Sequence, residues 1–462
     1  MLGLTLGQIA RLTGGRLLQG RPDVPVLSYI FDSRQAAPGA LFFALKDKRD
    51  GHEFVRDAME KGAVAACVSE EVSGLTPDFG LIKVDDTLKA LQTLAARVLD
   101  HSQMKVVGIT GSVGKTSTKE FTARLLREKF RVLKSPGNFN NQIGVPIAIL
   151  SMTGSEKVAV LEMGMSQPGE IRKLTRIAPP DVAVITAVAP VHLEFFGSLE
   201  GIARAKREIL EGARPGALAV MNGDDLVLRN MAAGWTDGRT IFYGSGPDCQ
   251  VRAENLQHLG LAGISFNLIF NGEKTELRVP FLNRALVWNL LAACAVARTF
   301  GLKLEEILPA LHDLPQVEHR GQLLELKGGL KLYDDSYNSN PVALKAVLES
   351  LGSVQTGRKI AVLGDMLELG PEELRFHREA GRTVAETGWN ILVTVGQRAR
   401  SMAEGACEAG MPEEAVFSFD EALSAAEWLK RFLQPGDFLL VKGSHGLALE
   451  RIVELLKKEM ED

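Results

Sequence analysis

The stretch Gly108-Ile-Thr-Gly-Ser-Val-Gly-Lys-Thr116 follows the apolar run Lys105-Val-Val107 and precedes a helix-like segment that begins at Ser117. A strand, a glycine-rich turn and a helix in this order bring unpaired N–H groups and a helix N-terminus to one point, where phosphate binds favourably. The pattern G-x-x-x-x-G-K-[ST] fails at Ile109, so the shorter T-G-S-x-G-K-T remains. A chance GK[ST] is common at helix starts, but this context favours a nucleotide site, with ATP as the first candidate.

The side chains of this turn are predicted to have separate roles. Lys115 would reach the β- and γ-phosphates, and the Thr116 hydroxyl would bind Mg²⁺. The residues expected to hold the nucleotide phosphates are Gly111, Ser112, Val113, Gly114, Lys115, Thr116 and Ser117.

Composition indicates a globular protein of several domains. The 462 residues suffice for about three domains, and 45% hydrophobic with 24% charged residues is typical of soluble proteins. A net charge of -4 argues against nucleic acid as the main partner. No run approaches the roughly 18 apolar residues that a membrane span needs.

Cysteine usage and the N-terminal residues favour a cytoplasmic location. Cys67, Cys249, Cys294 and Cys407 are scattered without a C-x-x-C pair, so we expect reduced thiols and no cysteine metal site. The start, Met1 to Thr5, lacks a basic region followed by an apolar block, so no signal peptide is expected.

The order of apolar runs predicts an α/β protein with three domains. Residues 1–103 form a small α/β domain, 104–315 a doubly wound, mostly parallel sheet with the phosphate-binding turn, and 316–462 a Rossmann-like α/β domain. Within the second domain, residues 249–280 alternate like antiparallel strands, and residues 286–297 are predicted to form a buried helix.

Two further side chains are expected near the phosphate-binding turn, because ligands of parallel sheets sit beyond the carboxyl ends of the strands. Glu162 ends one predicted strand, and His192 lies just past another. A carboxylate and an imidazole beside a nucleotide suggest a divalent cation. Glu162 could also be a solvated strand end, and His192 an ordinary packed or surface histidine. Lys206, from composition alone, is one lysine on a solvated helix face.

Two polar segments have both functional and structural interpretations. Residues 333–341, Tyr-Asp-Asp-Ser-Tyr-Asn-Ser-Asn-Pro, could hydrogen-bond a ribose and a base, or form a capped turn before a helix. Residues 137–142, Gly-Asn-Phe-Asn-Asn-Gln, suit either a loop or a substrate with many oxygen atoms.

Taken together, these segments resemble the Mur ligase family over nearly the whole chain. The resemblance rests on Asp32-Ser-Arg34, Asp50-Gly-His-Glu-Phe54, residues 110–116, 137–146 and 162–165, His192-Leu-Glu194 and Ala205-Lys-Arg-Glu-Ile209. It continues in Asp334-Asp-Ser-Tyr-Asn-Ser-Asn-Pro341, Leu363-Gly-Asp-Met-Leu-Glu-Leu-Gly370 and Lys442-Gly-Ser444. Departures from the family pattern are Ala285-Leu286 in place of His-Asn, His445 in place of Arg, and Lys46-Asp-Lys48 where a glycine usually stands.

The resemblance implies an ATP-dependent amide ligase with Lys115, Glu162, His192 and Lys206 as catalytic residues. Thr116 would bind a first Mg²⁺, and Glu162 and His192 a second, with Lys206 carbamylated by CO₂ as an oxygen ligand beside the metal. The residues implied to hold adenine, a phosphate and ribose are Asn289, Arg320 and Asp335. Those implied to bind the other substrates are Ser33, Arg34, Asn138, Asn140, Asn141, Tyr337 and Asn338.

The substrates that the resemblance implies are UDP-N-acetylmuramoyl-tripeptide and D-alanyl-D-alanine, in peptidoglycan precursor synthesis, and we expect a monomer. The alternatives are another Mur-type ligase, an enzyme like folylpolyglutamate synthase, a binding module or switch that hydrolyses ATP, and a degenerate relative that binds the precursor without ligating it. The first two differ in the amine that they accept, and the third predicts ATP hydrolysis without substrate.

Overall fold

The computed structural model describes residues 3–460 and arranges them around three β-sheets. The predicted α/β class with mostly parallel sheets is confirmed. Met1 and Leu2, which entered the argument against a signal peptide, lie outside the described residues. Among the residues that are described, no helix combines the length and hydrophobicity needed to cross a bilayer.

The first sheet has five strands in the order β1-β5-β4-β3-β2, with only the β1–β5 pair antiparallel. Helix α1 and strand β1 are absent from the sequence prediction. The helix is short, but Thr5 and Gln8 form a capping box at its start, and Leu6 and Ile9 are buried. The elements are α1 Leu6–Thr13, β1 Arg16–Gln19, β2 Ser28–Ile30, β3 Ala40–Phe43, α2 Val55–Glu60, β4 Ala65–Val68, β5 Gly80–Lys83 and α3 Thr87–Ser102.

The second sheet has nine strands in the order β14-β13-β12-β11-β10-β9-β6-β8-β7. Strands β12 to β14 are antiparallel as predicted, and the other pairs are parallel. The strands are β6 Lys105–Thr110, β7 Val132–Lys134, β8 Val158–Glu162, β9 Val182–Ile185, β10 Leu218–Asn222, β11 Arg239–Gly244, β12 Val251–His258, β13 Ile264–Phe270 and β14 Glu273–Val279. The helices are α4 Lys115–Leu126, α5 Gly144–Leu150, α6 Glu170–Ile177, α7 Leu193–Phe196, α8 Leu199–Glu211, α9 Leu226–Ala233, α10 Ala285–Thr299 and α11 Leu304–His312.

Helix α10 is the buried helix expected over residues 286–297. Its residues from Leu290 to Ala297 are fully buried, and it packs against α4. Because α4 begins at Lys115, this apolar contact fixes the helix that ends the phosphate-binding turn.

The third sheet has six strands in the order β15-β16-β20-β17-β18-β19, with only the β15–β16 pair antiparallel. The elements are β15 Gln322–Leu326, β16 Leu330–Asp334, α12 Pro341–Gly352, β17 Lys359–Gly364, α13 Glu373–Glu386, β18 Ile391–Val395, α14 Arg400–Glu408, β19 Val416–Phe419, α15 Ala422–Phe432, β20 Phe438–Lys442 and α16 Glu450–Met460.

Parallel register places the chemically important strand ends side by side. In the second sheet Ile109 pairs with Glu162, and Thr110 pairs with Ile185. In the third sheet Asp334 pairs with Val441, so Asp335, just past β16, lies beside Lys442, the last residue of β20. Polar residues at these ends therefore meet although they are far apart in sequence.

Candidate active site

The phosphate loop, residues 111–116, joins the end of β6 to the start of α4. A Cβ atom on Gly111 (φ +154°) would lie 1.8 Å from Oγ1 of Thr186, and one on Gly114 (φ +82°) would lie 2.2 Å from Oδ1 of Asn289. Only glycine fits at these two positions, because a side chain would collide with groups that hold the loop. Residues 112–117 line a cavity next to the start of α4, where an anion is favoured.

Lys115 folds back over its own loop. Its Nζ atom donates a hydrogen bond to the carbonyl oxygen of Gly111 at 2.8 Å. Burial lowers the pKa of Lys115, and the nearby Glu162 carboxylate opposes this shift. A phosphate oxygen is a stronger acceptor than a peptide carbonyl, so a nucleotide in the cavity would take over this ammonium group.

Glu162 is the buried carboxylate of the site, with 1% of its surface exposed. Its Oε2 accepts a hydrogen bond from the Thr116 hydroxyl at 3.0 Å, and its Oε1 accepts one from the Asn140 amide at 2.9 Å. The alternative of a solvated strand end is therefore wrong. The cluster brings the loop threonine, an acid from β8 and the amide-rich loop to one point.

Lys119 is a member of this cluster that sequence analysis missed. Its side chain is fully buried, and its Nζ atom lies 3.8 Å from Oε2 of Glu162. The same atom donates to the carbonyl oxygen of Gly137 at 2.7 Å. The sequence did contain a signal for Lys119. It lies four residues, about one helical turn, after Lys115, so both lysines are on the same side of α4.

Lys206 is not on a solvated helix face, and that expectation is corrected. It lies on α8 with 2% of its surface exposed, and it has no hydrogen-bond or ion-pair partner among residues 3–460. Burial, reinforced by the like charge of Lys115, lowers the pKa of Lys206 well below its ordinary value. These surroundings therefore favour the neutral amine of Lys206 more than water does.

His192 stands just before the short helix α7 with a left-handed backbone (φ +54°). Its Nδ1 atom forms a hydrogen bond with Oε2 of Glu368, which follows β17 in the third sheet. Burial lowers the pKa of His192, and the Glu368 carboxylate opposes the shift. The imidazole lines the same cavity as Lys115 and Glu162, so it is neither a packed core residue nor an isolated surface histidine.

The wall opposite the phosphate loop comes from the third sheet. The Asp335 carboxylate accepts a hydrogen bond from Nζ of Lys442 at 2.6 Å, and Lys442 also donates to the carbonyl oxygen of Asn338 at 2.8 Å. Burial raises the pKa of Asp335, and Lys442 opposes this shift. The Arg320 guanidinium lies 4.0 Å from the centre of the Tyr337 ring. The ring of His445 stacks on that of Tyr337, with ring centres 5.2 Å apart.

The two walls enclose a cavity of about 340 Å³, which is within the range of small-molecule sites. The structure thus brings together most of the nucleotide and metal residues that were predicted, whereas Gly111 and Lys206 are not part of the lining. Predicted residues on the lining are Ser112, Val113, Gly114, Lys115, Thr116, Ser117, Asn140, Glu162, His192, Asn289, Arg320, Asp335, Tyr337 and Asn338.

A second cavity extends from the first toward the N-terminal sheet. It shares Asn140 and residues 164–166 with the first cavity, and Lys46, Asp47 and Asn141 also line it. The structure does not bring the other predicted substrate residues to either lining. Asn138 is exposed, Ser33 is buried in a 3₁₀ turn, and Arg34 is exposed and paired with Asp32 at 2.7 Å.

Comparison with known proteins assigns the chain to a family. Residues 109–297 match the Mur ligase middle domain, and residues 319–445 match the domain described as Mur ligase, glutamate ligase domain. The UDP-N-acetylmuramoyl-tripeptide–D-alanyl-D-alanine ligase of Bacillus subtilis (strain 168) is 36% identical over 457 residues, which cover 98% of each chain. The chain belongs to the Mur ligase family. The resemblance seen in the sequence motifs is thereby confirmed.

Solved structures of Mur ligases agree with this assignment. A crystal structure of MurF from Acinetobacter baumannii superposes with a TM-score of 0.88 at 29% identity, covering 99% of both chains. The MurF ligase of Thermotoga maritima in complex with ADP gives a TM-score of 0.82 at 31% identity, covering 94% of this Mur ligase and 98% of that chain.

Proposed function

We propose that this Mur ligase uses ATP to join D-alanyl-D-alanine to the terminal carboxylate of UDP-N-acetylmuramoyl-tripeptide. The observation that carries the proposal is the cavity between the phosphate loop and the wall of Asp335, Arg320 and Lys442. The relatives named for this reaction match nearly the full chain. The relative solved with ADP supports a nucleotide in this cavity.

In the proposed nucleotide site, each wall of the cavity would bind a different part of the nucleotide. The loop N–H groups and Lys115 would hold the phosphates, and Asn289, which lies against Gly114, would contact the adenine. Asp335 and Arg320, from the third sheet, would bind ribose and a phosphate. Because the walls belong to different sheets, a nucleotide bound between them would hold the two domains together, and the reaction would be shielded from water.

The donor set around Glu162 fits two magnesium ions. Thr116 would bind the first through its hydroxyl, and Glu162 would bind the second together with His192, which lines the same cavity. Mg²⁺ bound there would neutralise charge on the phosphoryl oxygens. The carboxylate is already hydrogen-bonded, so its position is fixed before a metal arrives.

The chemistry that we propose proceeds in two transfers. An oxygen of the tripeptide carboxylate attacks the γ-phosphorus, the bond to ADP breaks, and an acyl phosphate forms. The free amine of D-alanyl-D-alanine then attacks the acyl carbon and loses a proton, and inorganic phosphate leaves. Lys115 would stabilise the charge that develops on the transferred group.

We also propose that Lys206 carries a carbamate. The reaction with CO₂ needs a neutral amine, which for an ordinary lysine at pH 7 costs about 4.6 kcal/mol. The burial of Lys206 and the nearby charge of Lys115 reduce this cost. A carbonyl ¹³C resonance from ¹³CO₂ that is present in the wild-type protein and absent in Lys206→Met would support the carbamate. Equal spectra would exclude it.

We infer three domains, residues 1–103, 104–315 and 316–462, with the UDP end of the precursor on the first. The support is the second cavity, which adjoins the first at Asn140 and residues 164–166 and is also lined by Lys46 and Asp47. Ser33 and Arg34 remain proposed contacts of the UDP group, and Asn138 and Asn141 of the peptide. The monomeric state and the cytoplasmic location also remain predictions.

The deciding experiment supplies ¹⁸O-labelled precursor carboxylate, ATP and D-alanyl-D-alanine, and examines the products by mass spectrometry. We expect the amide product, with one label in the released phosphate. Phosphate release that needs neither precursor nor amine would favour an ATP-driven switch or binding module. A panel of amines, including a diamino acid and glutamate, would distinguish other Mur-type ligases and folylpolyglutamate synthase.

A further inference from the structure

The contact between His192 and Glu368 joins two domains at the edge of the cavity. His192 follows β9 of the second sheet, and Glu368 follows β17 of the third. Both residues adopt left-handed backbones, with φ of +54° and +62°. This conformation is costly for residues other than glycine, so the surrounding structure must hold both backbones in it.

The segment around Glu368 is anchored on both sides. The N–H group of Leu367 donates to Oγ of Ser444 at 3.0 Å, and Leu369 is buried with 1% exposure. Gly370 packs against the backbone of Leu193 and Glu194 at the start of α7. The carboxylate is therefore presented to His192 by a rigid support, whereas its own side chain remains 43% exposed.

This contact determines which ring nitrogen of His192 is available. A carboxylate beside Nδ1 keeps the proton on that atom and leaves Nε2 as an acceptor. Nε2 has no hydrogen-bond partner among the described residues, and the ring lines the cavity that holds Glu162 and Lys115. Histidine ligands of metals commonly have such a carboxylate on the other nitrogen.

We propose that Glu368 is a positioning residue for the metal site. Through its hydrogen bond to His192, it links metal binding at that histidine to the contact between the second and third domains. The inference rests on the proposed function, since it takes His192 as a metal ligand. Because binding linkage is reciprocal, a metal that binds more tightly when Glu368 is in place also stabilises the domain contact by the same free energy.

The test uses the full chain with a non-hydrolysable ATP analogue and Mn²⁺ as the probe, with free Mn²⁺ followed by electron paramagnetic resonance. We expect two sites in the wild type. In Glu368→Gln the second site should weaken by about 10–100-fold while the first is unchanged. Glu372→Gln, an exposed acid of the same segment that pairs with Arg375, is the matched control and should bind like the wild type.

A second measurement does not depend on metal or activity. Nitrogen-15 NMR of the His192 ring should show the Nδ1–H tautomer in the wild type and a mixture of tautomers in Glu368→Gln. Two Mn²⁺ sites of unchanged affinity in Glu368→Gln, or an unchanged tautomer, would overturn the inference and leave the proposed function intact. A single Mn²⁺ site in the wild type would instead remove His192 from the metal assignment, and the inference would fail with it.

Discussion

The Nζ atom of Lys119 lies 3.8 Å from Oε2 of Glu162, and solvent reaches almost none of either side chain. The same ammonium group lies 3.4 Å from Glu120 and donates to the carbonyl oxygen of Gly137. The helix that ends the phosphate loop thus neutralises the carboxylate proposed as a metal ligand and holds the amide-rich loop beside it.

Replacing Lys119 by methionine should lower the free energy of unfolding by about 3–5 kcal/mol, because a buried carboxylate loses its nearby cation. Urea denaturation at pH 7 measures this. Lys129→Met is the control, since Lys129 pairs with Glu306 in a partly exposed position and should cost about 1 kcal/mol or less. Equal losses in the two variants would show that Thr116 and Asn140 suffice to hold Glu162.

Replacing Lys115 by alanine should reduce ligation at least about 100-fold, because the transferred phosphoryl group loses a charged donor. The melting temperature should change little, since Lys115 donates only to Gly111 among the described contacts. Phosphate release and thermal melting are the two measurements. The exposed Lys89→Ala serves as control, and ligation by Lys115→Ala at the wild-type rate would refute the phosphate-loop assignment.

Tyr333 has a buried hydroxyl on the cavity lining with no hydrogen-bond partner among the residues described. Tyr333→Phe should leave the stability of the free protein unchanged or higher. It should also weaken nucleotide binding about 2–10-fold, if the nucleotide supplies the missing partner. Calorimetric titration with an ATP analogue measures the binding.

Tyr243→Phe is the matched control for Tyr333, because the Tyr243 hydroxyl donates to the carbonyl oxygen of Thr186 at 3.0 Å. This variant should lose about 0.5–1.5 kcal/mol of stability and keep its nucleotide affinity. Unchanged nucleotide affinity in Tyr333→Phe would mean that the bound nucleotide makes no hydrogen bond with the Tyr333 hydroxyl.

Lys206 should make stability depend on pH. Burial lowers the pKa of Lys206 in the folded state. At pH values between this lowered pKa and the ordinary pKa of about 10.4, the unfolded state therefore binds more protons than the folded state. Wild-type stability therefore rises with pH through this window. In CO₂-free buffer, Lys206→Met should be more stable than the wild type at pH 7, with a difference that shrinks toward pH 10.

Urea denaturation at several pH values checks the Lys206 prediction, with the exposed Arg204→Met on the same helix as control. A pH-independent difference between Lys206→Met and the wild type would contradict the depressed pKa. The carbamate proposal adds that Lys206→Met loses ligation by about 100-fold or more, as expected for the loss of a group that acts directly in the site.

The fold was predictable where a local pattern was strong. The apolar runs that became β6, β8, β9 and β16 are continuous, as expected for strands that are buried on both faces. Strands β1, β7, β11, β15 and β19 were missed because most of their side chains are only partly buried or exposed, so few of them need to be apolar.

The sequence by itself determined the phosphate loop, the α/β class and the family, because these depend on residues adjacent in the chain: glycines that permit a turn, a lysine and a threonine at a helix start, and motifs with fixed spacing. Only the tertiary structure decided that Lys206 is buried without a partner, that Lys119 neutralises Glu162, and that Glu368 reaches His192 from another domain. Burial and electrostatic partners depend on which surfaces pack together, and residues 176 positions apart in the chain carry no local signal of that contact.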